Sequence, residues 1–308
     1  MYHFIVNPSA GAGRGLKIWK SIVRYLDSHN IEYEAFLTER QGDAYEAARK
    51  LTDSYDEPRY LIVVGGDGTI NEVLDGLAFH GPLNLGYIPA GAGSDLAKSL
   101  RMPAGAIQCL KKQLSPRHFT MIDYGVLSYG DQEVLHRRFL VSAGIGFDAA
   151  VCQAALSSRL CRYLDRLGFG KLSYVLVGIR QFFKCRSCRG YILLDGVKRV
   201  EFNNILFISC HIQPTEGGGF LFAPKADGSD GRMNICVMSH SARRRLLPVL
   251  FSAFIGGRRR VKGVRTYECR EVSIHTDAPL PVHVDGESCG FQTDIQAVCI
   301  PRKVRMMI

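Results

Sequence analysis

At 308 residues the chain is long enough for two ordinary domains rather than one. Hydrophobic residues at 46% and charged residues at 22% exclude a disordered, collagen-like or heptad-repeat chain, and no apolar run reaches the roughly 18 to 20 residues that a membrane span needs. Lys and Arg number 39 against 29 Asp and Glu, and the net charge of +10 points to an anionic partner: nucleic acid, a phosphate-bearing ligand or an acidic membrane surface.

The first hundred residues alternate regularly. A strand is expected at Tyr2 to Val6, a glycine-rich turn, an amphipathic helix about Leu16 to Ser28, a strand about Tyr33 to Leu37 and a helix about Asp43 to Thr52. A strand at Tyr60 to Val64, a glycine turn, a helix about Ile70 to Ala78 and a strand at Leu83 to Ile88 follow. Strand and helix in alternation imply a doubly wound α/β domain with a parallel sheet, and such sheets bind ligands at the carboxyl ends of their strands. Those ends carry loops of small residues: Asn7 to Gly11, Gly65 to Thr69 and Pro89 to Asp95.

From about Asp123 the pattern changes to β-rich segments at Phe139 to Ala143, Gly190 to Leu194, Asn204 to His211, Met233 to Met238, Glu271 to His275 and Val282 to Val284. Gly, Asp and Pro turns separate them, which suggests an antiparallel, β-sandwich-like second domain with a few helical inserts. The expected division is 1–124, with a C-terminal return at 301–308, and 125–300.

Charge divides the same way: residues 1–125 carry a net −1 and residues 126–308 a net +11. Residues 159–189 hold eight basic side chains against the single Asp165, and residues 243–265 hold eight with no acidic residue. In the latter, Arg243 to Arg245 and Arg258 to Arg260 bracket the apolar Leu246 to Gly257. That pattern suits a short helix dipping into lipid with arginines at the headgroups, or equally a core helix with solvated ends. No RNA-binding aromatic motif, helix-turn-helix signature or zinc module accompanies the arginines, so a nucleic-acid partner is not expected.

Ten cysteines in a chain whose first residues do not read as a secretory leader suggest free thiols in a reducing cytosol. Cys185 and Cys188 have CxxC spacing but lack a second pair at zinc-finger distance, and scattered, partly buried thiols are the plainer account.

Gly65-Gly66-Asp67-Gly68-Thr69 carries the most information. It follows an apolar strand and opens a helix, where glycines let backbone N–H groups approach a phosphate and the helix N-terminus adds favourable dipole charge. Asp67 is then placed to meet Mg²⁺ or a substrate hydroxyl. Neither the Walker pattern nor the dinucleotide fingerprint GxGxxG is present.

Five stretches occur in order: Asn7 to Gly11, Gly65 to Glu72, Pro89 to Asp95, Ala143 to Ala149 and Val284 to Glu287. Together they resemble the diacylglycerol kinase catalytic-domain family, in particular its soluble bacterial lipid kinases, with sphingosine and ceramide kinases as relatives.

The resemblance implies a two-domain, ATP- and Mg²⁺-dependent lipid kinase, cytoplasmic and peripherally associated with an anionic membrane. Its lipid substrate would most simply be diacylglycerol, and a homodimer is an assembly such kinases often adopt. Asn7, Pro8, Ser9, Ala10, Gly11, Thr38, Gly66, Asp67, Gly68, Thr69, Ile70, Asn71, Glu72 and Ala92 fall on nucleotide-contacting positions. Asp67 and Asp95, with Asp123 nearby, would organise the catalytic Mg²⁺ through water. Asp230, with main-chain oxygens of Asp227 and Arg232, would hold a second, structural Mg²⁺, although a plain Asp-Gly turn explains that segment equally well.

Glu287 matches the family's proton acceptor, with Asp67 as the competing candidate. One departure stands out. The family loop usually reads Gly-Thr/Ser-x-Asn-Asp, where this chain has Gly91-Ala92-Gly93-Ser94-Asp95. NAD kinases share the glycine loop, but there the Asn-Glu pair lies well downstream, whereas here Asn71-Glu72 abuts it. A catalytically weak lipid-binding protein is the rival of another class.

Overall fold

The computed structural model describes residues 1–53, 59–90, 93–116, 119–158, 170–239 and 263–308; Ala92 and the Leu246 to Gly257 segment lie outside them. The chain divides into two compact units, Met1–Ile122 with Arg302–Ile308 and Asp123–Pro301.

The first unit alternates β1 (Tyr2–Val6), α1 (Ala10–Ser28), β2 (Tyr33–Leu37), α2 (Asp43–Thr52), β3 (Arg59–Gly65), α3 (Asp67–Gly76), β4 (Leu83–Pro89), α4 (Asp95–Ser99) and α5 (Ala106–Leu114). The strands lie in the order β2-β1-β3-β4, and every pairing is parallel. Near its end β13 (Glu287–Met307) joins this sheet, with Met306 opposite Leu85 on β4. Leu61 to Val64 of β3 are all buried, as a strand covered on both faces requires. Trp19, Ile22 and Leu26, spaced three and four apart on α1, pack with Phe4, Ile62, Ile88, Leu110 and Met307. The order of strand addition reverses between β1 and β3, the place where open α/β sheets leave a ligand crevice.

Helix α1 begins six residues earlier than the amphipathic pattern indicates, and Gly11, Ala12 and Gly13 break its regularity with φ of 59°, 59° and 88°. The apolar period starts only beyond this left-handed turn, so the sequence pattern starts the helix later.

The second unit contains β5 (Phe119–Tyr129) from Asp123 onward, β6 (Leu135–Phe139), β7 (Ser142–Gly146), α6 (Phe147–Ser157), α7 (Gly170–Lys184), β8 (Cys188–Leu194), β9 (Lys198–His211), β10 (Met233–Ser239), β11 (Val264–Cys269), β12 (Glu271–Val284) and the first part of β13. Its pairings are antiparallel. The long strands β9 and β12 each pair with β7 at one end and with β8 at the other, around a core that includes Leu127, Phe139, Ile145, Ile208, Val272 and Val284.

Two expectations change here. Phe139 to Ala143 is two strands, because the backbone N–H groups of Leu140, Val141 and Ser142 turn toward the Asp285 carboxylate. Glu271 to His275 and Val282 to Val284 are one strand, with the register shifting between His275 and Leu280 beside Pro279 and Pro281, which lack a ladder N–H.

Candidate functional site

In the first unit the loops after β1, β3 and β4 meet through named bonds. Asn7 donates from its backbone to Val64 O at 2.8 Å and from Nδ2 to Thr69 Oγ1 at 3.0 Å, while its Oδ1 accepts from Ser9 N. Ala90 N donates to Gly65 O at 2.7 Å. A Cβ on Gly11 would lie 2.3 Å from Ala90 O, and its φ is +59°, so only glycine lets the first loop close against the third.

The amino end of this 10-residue helix, α3, has no side-chain cap at Gly66, and Thr69 N and Ile70 N donate to Gly66 O at 3.1 and 3.2 Å. Thr38 N donates to Val6 O at the end of β2, and Glu72 accepts from Gly42 N at 3.1 Å, joining α3 to the start of α2. Ile70 and Asn71 are buried, so their side chains belong to the interior.

Asp67 is held on both of its carboxylate oxygens. Ser94 Oγ donates to its Oδ1 at 2.5 Å, and Asp95 N donates to its Oδ2 at 2.9 Å. The Tyr87 hydroxyl lies 3.3 Å from Asp67 Oδ1, Gly65 O and Ser94 Oγ, and burial together with the Asp67 charge pushes its pKa well above the ordinary phenol. Lys98 Nζ reaches Asp95 Oδ1 at 3.3 Å and Gly93 O at 3.0 Å. Asp67 and Asp95 are thus brought together. Tyr87, Ser94 and Lys98 were not among the site residues named from sequence, since a strand Tyr, a small cap and a helix Lys have no signature of their own.

In the second unit Asp123 is fully buried, accepting from Gly231 N at 2.7 Å and donating its N–H to Gly228 O. It therefore supports the turn that carries Asp227, Asp230 and Arg232. Within that turn Asp227 Oδ1 accepts from Ser229 N and Oγ, and Asp230 Oδ1 accepts from Arg232 N. Partial burial, with Asp227, Glu268 and Asp123 nearby, raises the Asp230 pKa despite the Arg232 amide.

Glu287 opens β13 directly after a two-residue turn, Asp285 and Gly286, both left-handed with φ of 46° and 88°. Arg137 donates to Glu287 Oε2 at 3.0 Å. The Ala143 to Ala149 stretch forms the end of β7 and the start of α6. It places the buried Asp148 3.5 Å from His283 Nε2. Cys185 and Cys188 are free thiols, and burial followed by the nearby Asp277 pushes Cys188 up to about 11. Among the described residues no helix is long and apolar enough to cross a membrane.

The diacylglycerol kinase catalytic domain matches residues 1–127, and the YegS C-terminal NAD kinase beta sandwich-like domain matches residues 140–308. The Bacillus subtilis (strain 168) protein YtlR is 29% identical over 291 residues, covering 94% of each chain. A diacylglycerol kinase of Mycobacterium tuberculosis (strain ATCC 25618 / H37Rv) is 26% identical over 297 residues, covering 96% of this chain and 91% of its own. A crystal structure of a diacylglycerol kinase from Bacillus anthracis str. Sterne superposes with a TM-score of 0.71 at 20% identity, over 99% of this chain and 96% of its own. Yeast NADH kinase, crystallised with NADH, shares the fold at a TM-score of 0.53 and 12% identity, over 99% of this chain and 82% of its own.

Proposed function

The chain belongs to the diacylglycerol kinase family of lipid kinases, and from that membership we propose that it transfers the γ-phosphoryl group of ATP to a lipid hydroxyl, converting diacylglycerol to phosphatidic acid. The observation that supports this reading best is the bracing of Asp67, whose two oxygens are each held by a donor from the Ser94–Asp95 segment.

In this reading the backbone of Asn7, Pro8, Ser9, Ala10 and Gly11 and of Gly66, Gly68, Thr69, Ile70 and Asn71 cradles the nucleotide phosphates, with Thr38 and Glu72 at its edge. Helix α3 directs its positive end toward them. Asp67 Oδ2 accepts one bond, from Asp95 N, and keeps a second lone pair, which suits a hydrated Mg²⁺ held through water by Asp67 and Asp95. Bound with ATP, that ion would neutralise charge developing on the transferred group. Lys98, paired to Asp95, adds a positive charge to the same segment. Glu287, oriented by Arg137, receives the proton of the acceptor hydroxyl. A second Mg²⁺ on Asp230 and the main-chain oxygens of Asp227 and Arg232 would offset the burial, and the lesser repulsion from Asp227, Glu268 and Asp123, that raise Asp230.

Membrane contact is the other part of the proposal. Leu176, Ile179 and Phe183, three and four residues apart on α7, are exposed at 48, 49 and 65%, with the exposed Arg180 and Lys184 among them. An apolar stripe edged by cations suits insertion among anionic headgroups on the cytoplasmic face. The Leu246 to Gly257 segment, whose sequence pattern suits this role and a core helix equally, lies outside the described residues.

Incubation with labelled ATP, Mg²⁺ and mixed micelles of diacylglycerol should give labelled phosphatidic acid, and Asp67→Asn or Glu287→Gln should abolish it. Phosphorylation of NAD in place of lipid would overturn the reading.

A further inference from the structure

Gly286 N donates to His283 Nδ1 at 3.2 Å, across the turn that ends in Glu287. An imidazole nitrogen that accepts carries no proton, so the neutral ring keeps its hydrogen on Nε2. That nitrogen faces Asp148 Oδ2 at 3.5 Å, and both side chains are buried, His283 at 2% and Asp148 at 6% exposure. A Cβ on Gly144 would lie 2.0 Å from Asp148 Oδ2 and 2.9 Å from His283 Nε2, so the strand beneath the pair has room for nothing larger than glycine.

The same turn is held from its other side. The Asp285 carboxylate accepts three backbone N–H groups, from Leu140, Val141 and Ser142, at 2.8 to 3.0 Å, and Asp285 N donates to Ser142 O. Asp285 therefore fixes where the turn sits on β7, while His283 fixes the peptide immediately before Glu287.

We propose that Asp148 and His283 act as a positioning pair for Glu287, in which Asp148 sets the tautomer of His283 and the His283 Nδ1 lone pair anchors the Gly286 amide, so that protonating Nδ1 releases the anchor. This inference rests on Glu287 being the proton acceptor. The groups facing the imidazole are Asp148 at the start of α6, Glu216 from the loop after β9, Asp285 of the turn and His211 of β9. Burial opposes a second proton on His283, but the Asp148, Glu216 and Asp285 carboxylates outweigh it and raise its pKa above the ordinary imidazole; His211, lowered to about 3 by burial, stays neutral. The anchor is consequently sensitive to pH on the alkaline side of the usual histidine range.

The side chains of Asp148, Glu216 and His283 offer ligand atoms within 4.8 Å of one another, yet metal bound at Nε2 would require a proton on Nδ1, where the Gly286 N–H already points. The backbone donor favours the positioning role.

The test pairs kinetics with NMR on the full chain. His283→Leu should lower kcat on the order of tenfold to a hundredfold with little change in KM, the scale of a displaced reacting group. His283→Asn, whose Oδ1 can replace Nδ1 as acceptor, should restore most of kcat and remove one acid inflection from its pH profile. Asp148→Asn should move that inflection to lower pH. In the wild-type protein with ¹⁵N-labelled histidine, His283 should be the Nε2–H tautomer and the Gly286 amide should shift as the ring titrates. An Nδ1–H tautomer, or a Gly286 amide indifferent to that titration, overturns the inference. A fully active Glu287→Gln variant instead removes the proton-acceptor reading on which it rests, whatever the imidazole does.

Discussion

Ser94 Oγ lies 2.5 Å from Asp67 Oδ1 and also accepts from Ala97 N at 3.1 Å, so one hydroxyl both caps α4 and holds the carboxylate at the head of α3. The position where the family usually carries an amide is thus filled by a hydroxyl that itself braces Asp67.

Removing that hydroxyl should therefore act on rate and stability together. Ser94→Ala loses a helix cap, expected to cost about 0.5–2 kcal/mol, and leaves Asp67 with one of its donors gone. We expect kcat to fall by roughly tenfold, from loss of a charge-assisted bond of about 1.5 kcal/mol, with Ser94→Thr close to wild type. Thermal melting and steady-state kinetics on the two variants measure both effects, and an unchanged kcat in Ser94→Ala would show that Asp67 needs no such support.

Asp285 carries a structural load that its place in an Asp-Gly turn conceals. Asp285→Asn turns an amide N–H₂ toward backbone donors now served by carboxylate oxygens. Destabilisation of about 1–3 kcal/mol is expected, read as a lower urea midpoint with an unchanged m-value.

His211 predicts the direction of acid sensitivity. It is fully buried, with Ser209 Oγ at 2.8 Å from Nε2, Glu216 Oε2 at 3.6 Å and the charge of His283 nearby. Burial first, then His283, lowers its pKa to about 3. The unfolded chain takes up a proton below about 6.5 that the folded chain refuses until about 3. The stabilising contribution is therefore complete above 6.5 and lost as pH falls through that window, on the order of 1 kcal/mol per pH unit. His283, raised, has the opposite sign: its contribution is complete below 6.5 and lost as pH rises through its folded value. Urea midpoints between pH 6.5 and 5 should decline, and His211→Asn should flatten that decline.

Cys188 should be a poor nucleophile. Burial and Asp277 hold its thiol near 11, so at pH 7.5 almost none is thiolate. Mass spectrometry after a brief iodoacetamide pulse should find Cys188 unmodified in the folded protein and alkylated in urea; rapid labelling of the folded form would revive a redox role for the Cys185–Cys188 pair.

Local pattern and glycine chemistry determined much of this protein from the sequence alone. Strands β1 to β4 and helix α2 follow from apolar runs, 3.6-residue periodicity and turn residues within a few positions, and the small-residue loops at Asn7, Gly65 and Pro89 are legible as strand-end turns of an α/β domain. Tertiary structure decided the rest. Ser94 and Asp67 lie 27 residues apart, Arg137 and Glu287 150, and Asp148 and His283 meet only because β7 and β12 pair. Such contacts depend on strand order and register, which residue spacing does not encode. The burial that raises Tyr87 and lowers His211 likewise arises only when distant segments close around them and exclude water.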